Sequence, residues 1–252
     1  MQNNPQPDDK IVLHGMSSPN VTKVLLMLEE CGLDYHFNHM NVFGGDQFDP
    51  AFLALSPLGK VPALEDPALG KPLVESGAIL WWLAEREGRF LPGVDQPVSR
   101  AEVIEWLMIQ MANIGPMLGQ LNHFGIVPPD REDYSRARYR AIAEKLYRVL
   151  NERLTDREWI AGGAYSIADM AIYPWSDYLE RHGFDPAIHP ALVAWRQRIA
   201  ARPAVQRVIQ RVARLVEEST DSVRNAKAED LDRFFSRTET VPAMDFSAVT
   251  RL

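Results

Sequence analysis

Two hydrophobic patterns divide the chain. Up to about residue 88, short apolar runs alternate with helical patterns in the order β-α-β-α-β-β-α. After residue 98, apolar positions recur at helical spacing and no strand pattern follows. The sequence therefore predicts a small α/β domain followed by an all-helical domain.

The strands of the first domain are short. Residues 11–14 (IVLH) and 34–42 predict two strands joined by a helix, and a β-α-β connection favours parallel pairing. The runs VPALED (61–66) and KPLVES (71–76) are separated by a turn, which predicts an antiparallel hairpin. We therefore expect a mixed four-stranded sheet.

Capping residues mark several helix ends. Ser18 suits an N-cap, with Pro19 as the first helical residue, and Gly32 suits the C-cap of the same helix. Ser166 and Asp169 form an S-x-x-D capping box, which predicts the start of a further helix.

These patterns give the predicted domain boundaries. Residues 10–88 form the α/β domain, residues 99–218 the helical domain, and residues 219–252 a C-terminal extension. Helices are expected over 99–124, 130–154, 166–183, 189–201 and 203–218. In the extension, Phe234, Phe235 and Phe246 indicate a strap pinned to the body, whereas its polar composition fits a frayed tail equally well.

Composition narrows the classes of function. A protein with a net charge of -7 repels the negatively charged phosphate backbones of nucleic acids, so nucleic acid is not an expected partner. No apolar stretch reaches the roughly 20 residues that cross a bilayer, and the polar start MQNNPQPDDK does not predict a secretory signal. A single cysteine, Cys31, excludes a disulfide framework, a CxxC pair and a cysteine-rich zinc site. We expect a cytoplasmic protein without a membrane partner or a metal.

Several segments together resemble one family. They are VPALED followed by ESGAI (75–79), the order of the two domains, and SIADMAIYPW (166–175). In this order they resemble the glutathione transferases over about residues 10–215. GPMLGQLNHF (115–124), with the Ser-Pro-Asn junction, is similar to the nu class, a bacterial disulfide-bond oxidoreductase branch related to the yeast nitrogen-regulation prion protein. The resemblance implies a thioredoxin-like first domain, a helical second domain, a homodimer and glutathione as cosubstrate.

The resemblance also implies where glutathione binds. A cis bond between Val61 and Pro62 would leave the Val61 backbone free to pair with the cysteinyl backbone. Glu75 would take the ammonium group, and Ser76, at a helix N-terminus, the γ-glutamyl carboxylate.

Further candidates lie in the loops and in the second domain. Gln47 and Lys60 are candidates for the glycyl carboxylate or the cysteinyl backbone. The resemblance implies that Arg138 matches an arginine of the nu class that reaches glutathione across the dimer. Candidates for a second-substrate pocket are Asn122, His123 and Phe124.

The stretch GMSSPNVTK (15–23) contains neither cysteine nor tyrosine, yet it occupies the predicted strand-to-helix junction. A free thiol has a pKa of about 8.5, and hydrogen-bond donors at a helix N-terminus lower it. Ser18 and Asn20 can donate to a glutathione sulfur, so that the substrate brings the nucleophile. Ser17 is a rival hydroxyl. Ser18 could instead only cap the helix, but capping and sulfur contact are compatible, because a capping hydroxyl accepts through its oxygen and keeps its proton to donate.

Three functions are compatible with these residues. The first is a glutathione-dependent transferase or oxidoreductase that reduces disulfides with glutathione. The second is a thioether (carbon–sulfur) lyase or a conjugating transferase, which would use the same thiolate. The third is a non-catalytic binding or regulatory protein with a glutathione-transferase fold.

Overall fold

The computed structural model describes residues 10–125 and 134–236, and these form two compact units. The sheet unit comprises residues 10–79 and 207–236, and the helical unit comprises residues 80–125 and 134–206. The chain therefore returns to its first unit at residue 207, inside a helix. The predicted domain limits at residues 88, 99 and 218 stay predictions.

The sheet unit contains the mixed four-stranded sheet that the sequence predicts. Its strands lie in the order β2-β1-β3-β4, with β1 and β2 parallel and the other two pairs antiparallel. Leu13 and Leu64 occupy neighbouring positions of the central strands and are fully buried. The elements are β1 (Ile11–Gly15), α1 (Pro19–Cys31), β2 (Tyr35–His39), α2 (Pro50–Leu55), β3 (Ala63–Asp66), β4 (Lys71–Val74) and α3 (Ser76–Glu87), with short 3-10 turns at Val42–Gly44 and Asp46–Phe48 between β2 and α2.

Only helices follow in the described residues beyond α3. They are α4 (Pro97–Ile109), a π-helical turn (Gln110–Ile114), α5 (Gly115–Gly125), α6 (Tyr134–Arg153), α7 (Ile167–Ser176), α8 (Pro190–Ala200), α9 (Pro203–Asn225) and α10 (Ala228–Phe234), with a 3-10 turn at Pro186–Ile188. The predicted combination of a thioredoxin-like domain with a helical domain is confirmed. None of the helices in the described segments combines the length and the apolarity that crossing a membrane requires.

Two predicted helix ends are wrong. The helix expected over 166–183 ends at Ser176, because the backbone changes there to i→i+3 hydrogen bonds, such as Leu179 N to Ser176 O at 3.2 Å. The helix expected to end at 218 continues to Asn225, and α10 follows it. The segment 219–236 is thus folded, as the strap hypothesis expects, while Phe246 and residues 130–133 lie outside the described residues.

The predicted caps form hydrogen bonds. The Ser18 hydroxyl oxygen accepts from Val21 N at 3.2 Å, and Gly32 has a φ of 69° that closes α1. Ser166 and Asp169 make the reciprocal capping box of α7. Asp169 is fully buried and also accepts from Ile160 N and Trp195 Nε1, so one carboxylate joins three parts of the helical unit.

Gly15 lets α1 begin close to the end of β1. A Cβ atom at Gly15 would lie 2.7 Å from Cγ1 of Val21, which is fully buried on α1. Since carbon atoms do not approach so closely, a side chain here would push the helix away from the strand. The glycine therefore fixes the position of the first turn of α1 relative to the sheet.

A buried lysine joins the beginnings of α1 and α3. Lys23 is 1% exposed, and its Nζ donates to the Ser76 hydroxyl at 3.2 Å. Burial lowers the pKa of Lys23 to about 7, although the charge of Glu75 opposes this shift. The side chain is the link between the helix that follows β1 and the helix that follows β4.

We predict that Lys23 makes the stability of the protein depend on pH. Between about pH 7 and 10.5, the unfolded chain binds a proton at Lys23 that the folded chain does not, so the free energy of unfolding rises with pH in this window. Lys23→Met should remove this rise in denaturant titrations, whereas Lys71→Met, at an exposed lysine of β4, should retain it. An identical slope in both variants would contradict the prediction.

Candidate functional site

The junction between β1 and α1 presents polar groups at a helix N-terminus. Ser17, Ser18 and Asn20 are all partly exposed, and Asn20 is the second residue of α1. Because the Ser18 oxygen accepts from Val21 N, its hydroxyl proton remains available to donate. The positive end of α1 and these donors form an environment that stabilises an anion.

The loop before β3 is held by a serine that the sequence analysis missed. The Val61–Pro62 peptide bond is cis, as the resemblance implies. The Ser56 hydroxyl donates to Lys60 O at 2.8 Å and accepts from Lys60 N at 3.2 Å, and Ser56 is 2% exposed. This pair of bonds fixes the backbone next to Val61 and leaves the Lys60 side chain exposed. The serine directly after the α2 pattern was a readable signal, because such residues often bond to nearby backbone.

The turn from β4 into α3 contains a strained residue. Glu75 has a φ of 69°, and its side chain is exposed. Left-handed backbone is uncommon outside glycine and, when it occurs, clusters at functional sites. Glu75 O accepts from Ile79 N at 2.9 Å, so the strained residue also starts α3. Beside Glu75, Ser76 is buried and contacts Lys23. The sequence analysis missed Lys23, although the apolar residues around it in α1 were a signal that it is buried.

Gln47 lies in a buried position beside the loop that precedes Val61. It is 3% exposed, and its Oε1 has no hydrogen-bond partner among the residues that the structure describes. A Cβ at Gly59 would lie 2.9 Å from Gln47 O, so the two loops are in close contact. Gln47 and Lys60, which are far apart in the sequence, therefore belong to one region of the sheet unit.

The remaining candidates lie in the helical unit. Asn122 Oδ1 can only accept, so it fixes the proton of His182 on Nε2, 2.8 Å away, and leaves Nδ1 to accept from the Tyr147 hydroxyl at 2.8 Å. Burial, with Arg181 and Arg140 nearby, lowers the pKa of His182 to about 4 and keeps it neutral. The Asn122 carbonyl oxygen is therefore engaged in the packing of the helical unit.

The two residues that follow Asn122 on α5, His123 and Phe124, make aromatic ring contacts. The rings of His123 and Phe124 meet edge to face, and Phe124 stacks on Tyr139 with centroids 5.5 Å apart. Arg138 is exposed on α6. The proposed contacts of these residues with substrate stay predictions.

The sheet unit therefore gathers most of the predicted residues. Ser18, Lys60, Val61, Glu75 and Ser76 flank chain turns at the ends of β1, β3 and β4, the three strands that lie side by side. Within the described residues, no three His, Cys, Asp or Glu side chains are grouped as a metal site would need. The sheet-unit residues supply hydrogen-bond donors, one exposed carboxylate and two helix N-termini.

Comparisons with known proteins agree with this arrangement. The family "Glutathione S-transferase, N-terminal domain" matches residues 17–86, and "Glutathione S-transferase, C-terminal domain" matches residues 115–203. The chain is 42% identical over 217 residues to the disulfide-bond oxidoreductase YfcG of Escherichia coli, covering 84% of this chain and all of that protein. It is 34% identical to the disulfide-bond oxidoreductase YghU of the same organism, covering 77% of this chain and 72% of that protein.

Solved structures show the same fold. A glutathione transferase from Pseudomonas putida, crystallised with one glutathione disulfide bound per subunit, is 36% identical with a TM-score of 0.74, and the match covers 82% of this chain and 94% of that one. Ure2p in complex with glutathione is 28% identical with a TM-score of 0.75, covering 82% and 96%. The family matches, the identity to YfcG and the sheet-unit geometry lead to one conclusion: the chain belongs to the glutathione S-transferase family.

Proposed function

We propose that the protein is a glutathione-dependent oxidoreductase that reduces disulfides. The observation that carries the proposal is the combination of donors at the N-terminus of α1 with the absence of a protein thiol beside them. Cys31, the single cysteine, is the last residue of α1, about 20 Å along the helix from Ser18 at 1.5 Å per residue. A reactive sulfur at this junction must therefore come from a bound molecule.

Each group of glutathione has a candidate partner in the sheet unit. Glu75 carries the exposed carboxylate that can take the ammonium, and the Ser76 end of α3 can take the γ-glutamyl carboxylate. The cis Val61–Pro62 bond presents the Val61 backbone for pairing with the cysteinyl residue. The exposed ammonium of Lys60 or the amide of Gln47 can take the glycyl carboxylate. This assignment leaves the glutathione sulfur for Ser18 and Asn20.

The proposed reaction is an exchange in two steps. The thiolate of bound glutathione attacks a disulfide, forms a mixed disulfide with one half, and releases the other half as a thiolate that takes a proton. The thiolate of a second glutathione attacks the glutathione sulfur of the mixed disulfide, which yields glutathione disulfide and the second free thiol. Two glutathione molecules are oxidised by two electrons in total, and one disulfide is reduced. No protein cysteine takes part.

The names of the relatives support this choice among the three functions. YfcG and YghU are named disulfide-bond oxidoreductases, and the P. putida structure holds glutathione disulfide. A lyase or a conjugating transferase would use the same thiolate with another electrophile. We further propose, from the family resemblance alone, a homodimeric assembly in the cytoplasm, with Arg138 near the partner's glutathione and Asn122, His123 and Phe124 near the second substrate.

We predict that Asn20→Ala lowers turnover with a small mixed disulfide and glutathione by about 10²-fold, because a donor to the developing charge on sulfur is lost. Cys31→Ala should leave turnover within about twofold, since its thiol takes no part in the exchange. Steady-state kinetics at saturating glutathione measure both effects. Ser17→Ala and Ser18→Ala in the same assay identify the hydroxyl donor. Equal losses for Asn20→Ala and Cys31→Ala would contradict the assignment.

A comparison of two substrates tests the reaction class. The purified protein should reduce a small mixed disulfide with glutathione much faster than it conjugates a chlorinated nitrobenzene, because the proposed electrophile is a sulfur atom. Faster conjugation would support the transferase alternative. Activity on neither substrate, together with measurable glutathione binding, would support the non-catalytic alternative and refute the proposal.

A further inference from the structure

The C-terminal strap, defined as residues 219–236, lies outside both family matches, the second of which ends at residue 203. It contains the last turns of α9 and the whole of α10, and it belongs to the sheet unit. The strap contributes Val223 and Leu231, which are 1% and 7% exposed, and partly buried Phe235 to a hydrophobic cluster. This segment is therefore a packed part of the unit that contains the candidate site.

The same cluster also contains Val61, itself a candidate site residue, and two residues that precede other candidates. Met16 directly precedes Ser17 and Ser18, and Val61 is the residue before the cis proline. Val74 directly precedes Glu75. The cluster thus includes residues from three separate parts of the chain that carry candidate site residues, none of which belongs to the strap.

The strap also contacts the segment of residues 41–48, which contains Gln47 and is called the Gln47 loop below. The ring of Phe234 lies 4.9 Å from that of Phe43, and the guanidinium of Arg233 lies 4.3 Å above the ring of Phe48. Phe43 and Phe52 belong to the cluster on either side of Gln47. Residues of α10 therefore contact the loop near both of its ends, at Phe43 and at Phe48.

The strap is anchored upstream by polar contacts of α9. Arg207 Nε donates to Glu29 Oε2 at 2.7 Å, and Arg211 Nη1 donates to the Tyr35 hydroxyl at 2.9 Å. The Arg211 guanidinium also lies 5.0 Å above the ring of Phe37. These contacts hold α9 against α1 and β2, so α10 reaches the Gln47 loop from a fixed base.

We propose that the C-terminal strap is a positioning element of the glutathione site, in which Leu231 and Phe235 fix the Gln47 loop and the backbone beside Ser18 and Val61. This inference rests on the proposed function for the identity of the ligand. Neither residue is expected to touch glutathione. Each acts by restricting the segments that do, because a small displacement of binding groups weakens the interaction strongly.

The test uses the full chain, reduced glutathione and a matched control. Leu231→Ala and Phe235→Ala should raise the calorimetric Kd for glutathione about five- to tenfold through displaced binding groups. They should also speed amide hydrogen exchange in residues 41–48 without ligand. Leu215→Ala is the control, because Leu215 lies on α9 of the same unit, is 6% exposed and is not in the cluster. It should leave the Kd within about twofold, and the loop exchange unchanged.

The possible results separate the two proposals. Glutathione binding by the wild-type chain with equal Kd changes in Leu231→Ala and Leu215→Ala, or unchanged loop exchange in Leu231→Ala, would overturn the role of the strap and leave the proposed function intact. No glutathione binding by the wild-type chain would overturn both. If Leu231→Ala does not fold, Phe235→Leu, a milder change at a partly buried ring, should still speed loop exchange and raise the Kd.

Discussion

The stabilisation of a sulfur anion at the N-terminus of α1 is the interaction on which the proposed chemistry depends. A thiol with a pKa of about 8.5 is mostly protonated at neutral pH, and only the thiolate attacks a disulfide. Ser18, Asn20 and the first turn of α1 present hydrogen-bond donors and the positive end of the helix at one place. Because Cys31 is at the opposite end of the helix, the proposal assigns the anion at this junction to a bound molecule.

In this proposal, the rest of the sheet unit positions the groups that bind that molecule. Gly15 allows α1 to begin close to β1, Ser56 fixes the backbone next to Val61, and Lys23 joins the beginnings of α1 and α3. The left-handed conformation of Glu75 is a local strain at the residue that starts α3. The strap, which lies outside the family matches, is proposed to extend this support, since its apolar residues belong to the same cluster as Met16, Val61 and Val74.

Local patterns predicted what short-range chemistry determines. The caps at Ser18 and Gly32 and the capping box of Ser166 and Asp169 form as expected, because each depends on residues within one or two turns of its helix. The parallel β1–β2 pair and the β3–β4 hairpin follow from connection length in the same way. The cis Val61–Pro62 bond came from the family resemblance and not from any local pattern.

Features that depend on tertiary packing were not predictable in this way. Lys23 looks like an ordinary helix lysine until Ser76 packs against it, and the folding of residues 219–225 as helix depends on partners far away in the sequence. The contact between the Gln47 and Gly59 loops likewise joins residues on either side of α2. The contact of Asn122 Oδ1 with His182 likewise joins residues 60 positions apart, and the predicted contact of Asn122 with a substrate stays a prediction.

The pKa of the glutathione thiol in the complex tests the central claim most directly. It can be measured by following the ultraviolet absorbance of the thiolate as the pH of the wild-type complex is varied. The account predicts a midpoint at least one unit below the free value of about 8.5, and a return toward that value in the complex of Asn20→Ala. A midpoint equal to that of free glutathione in the wild-type complex would contradict the account.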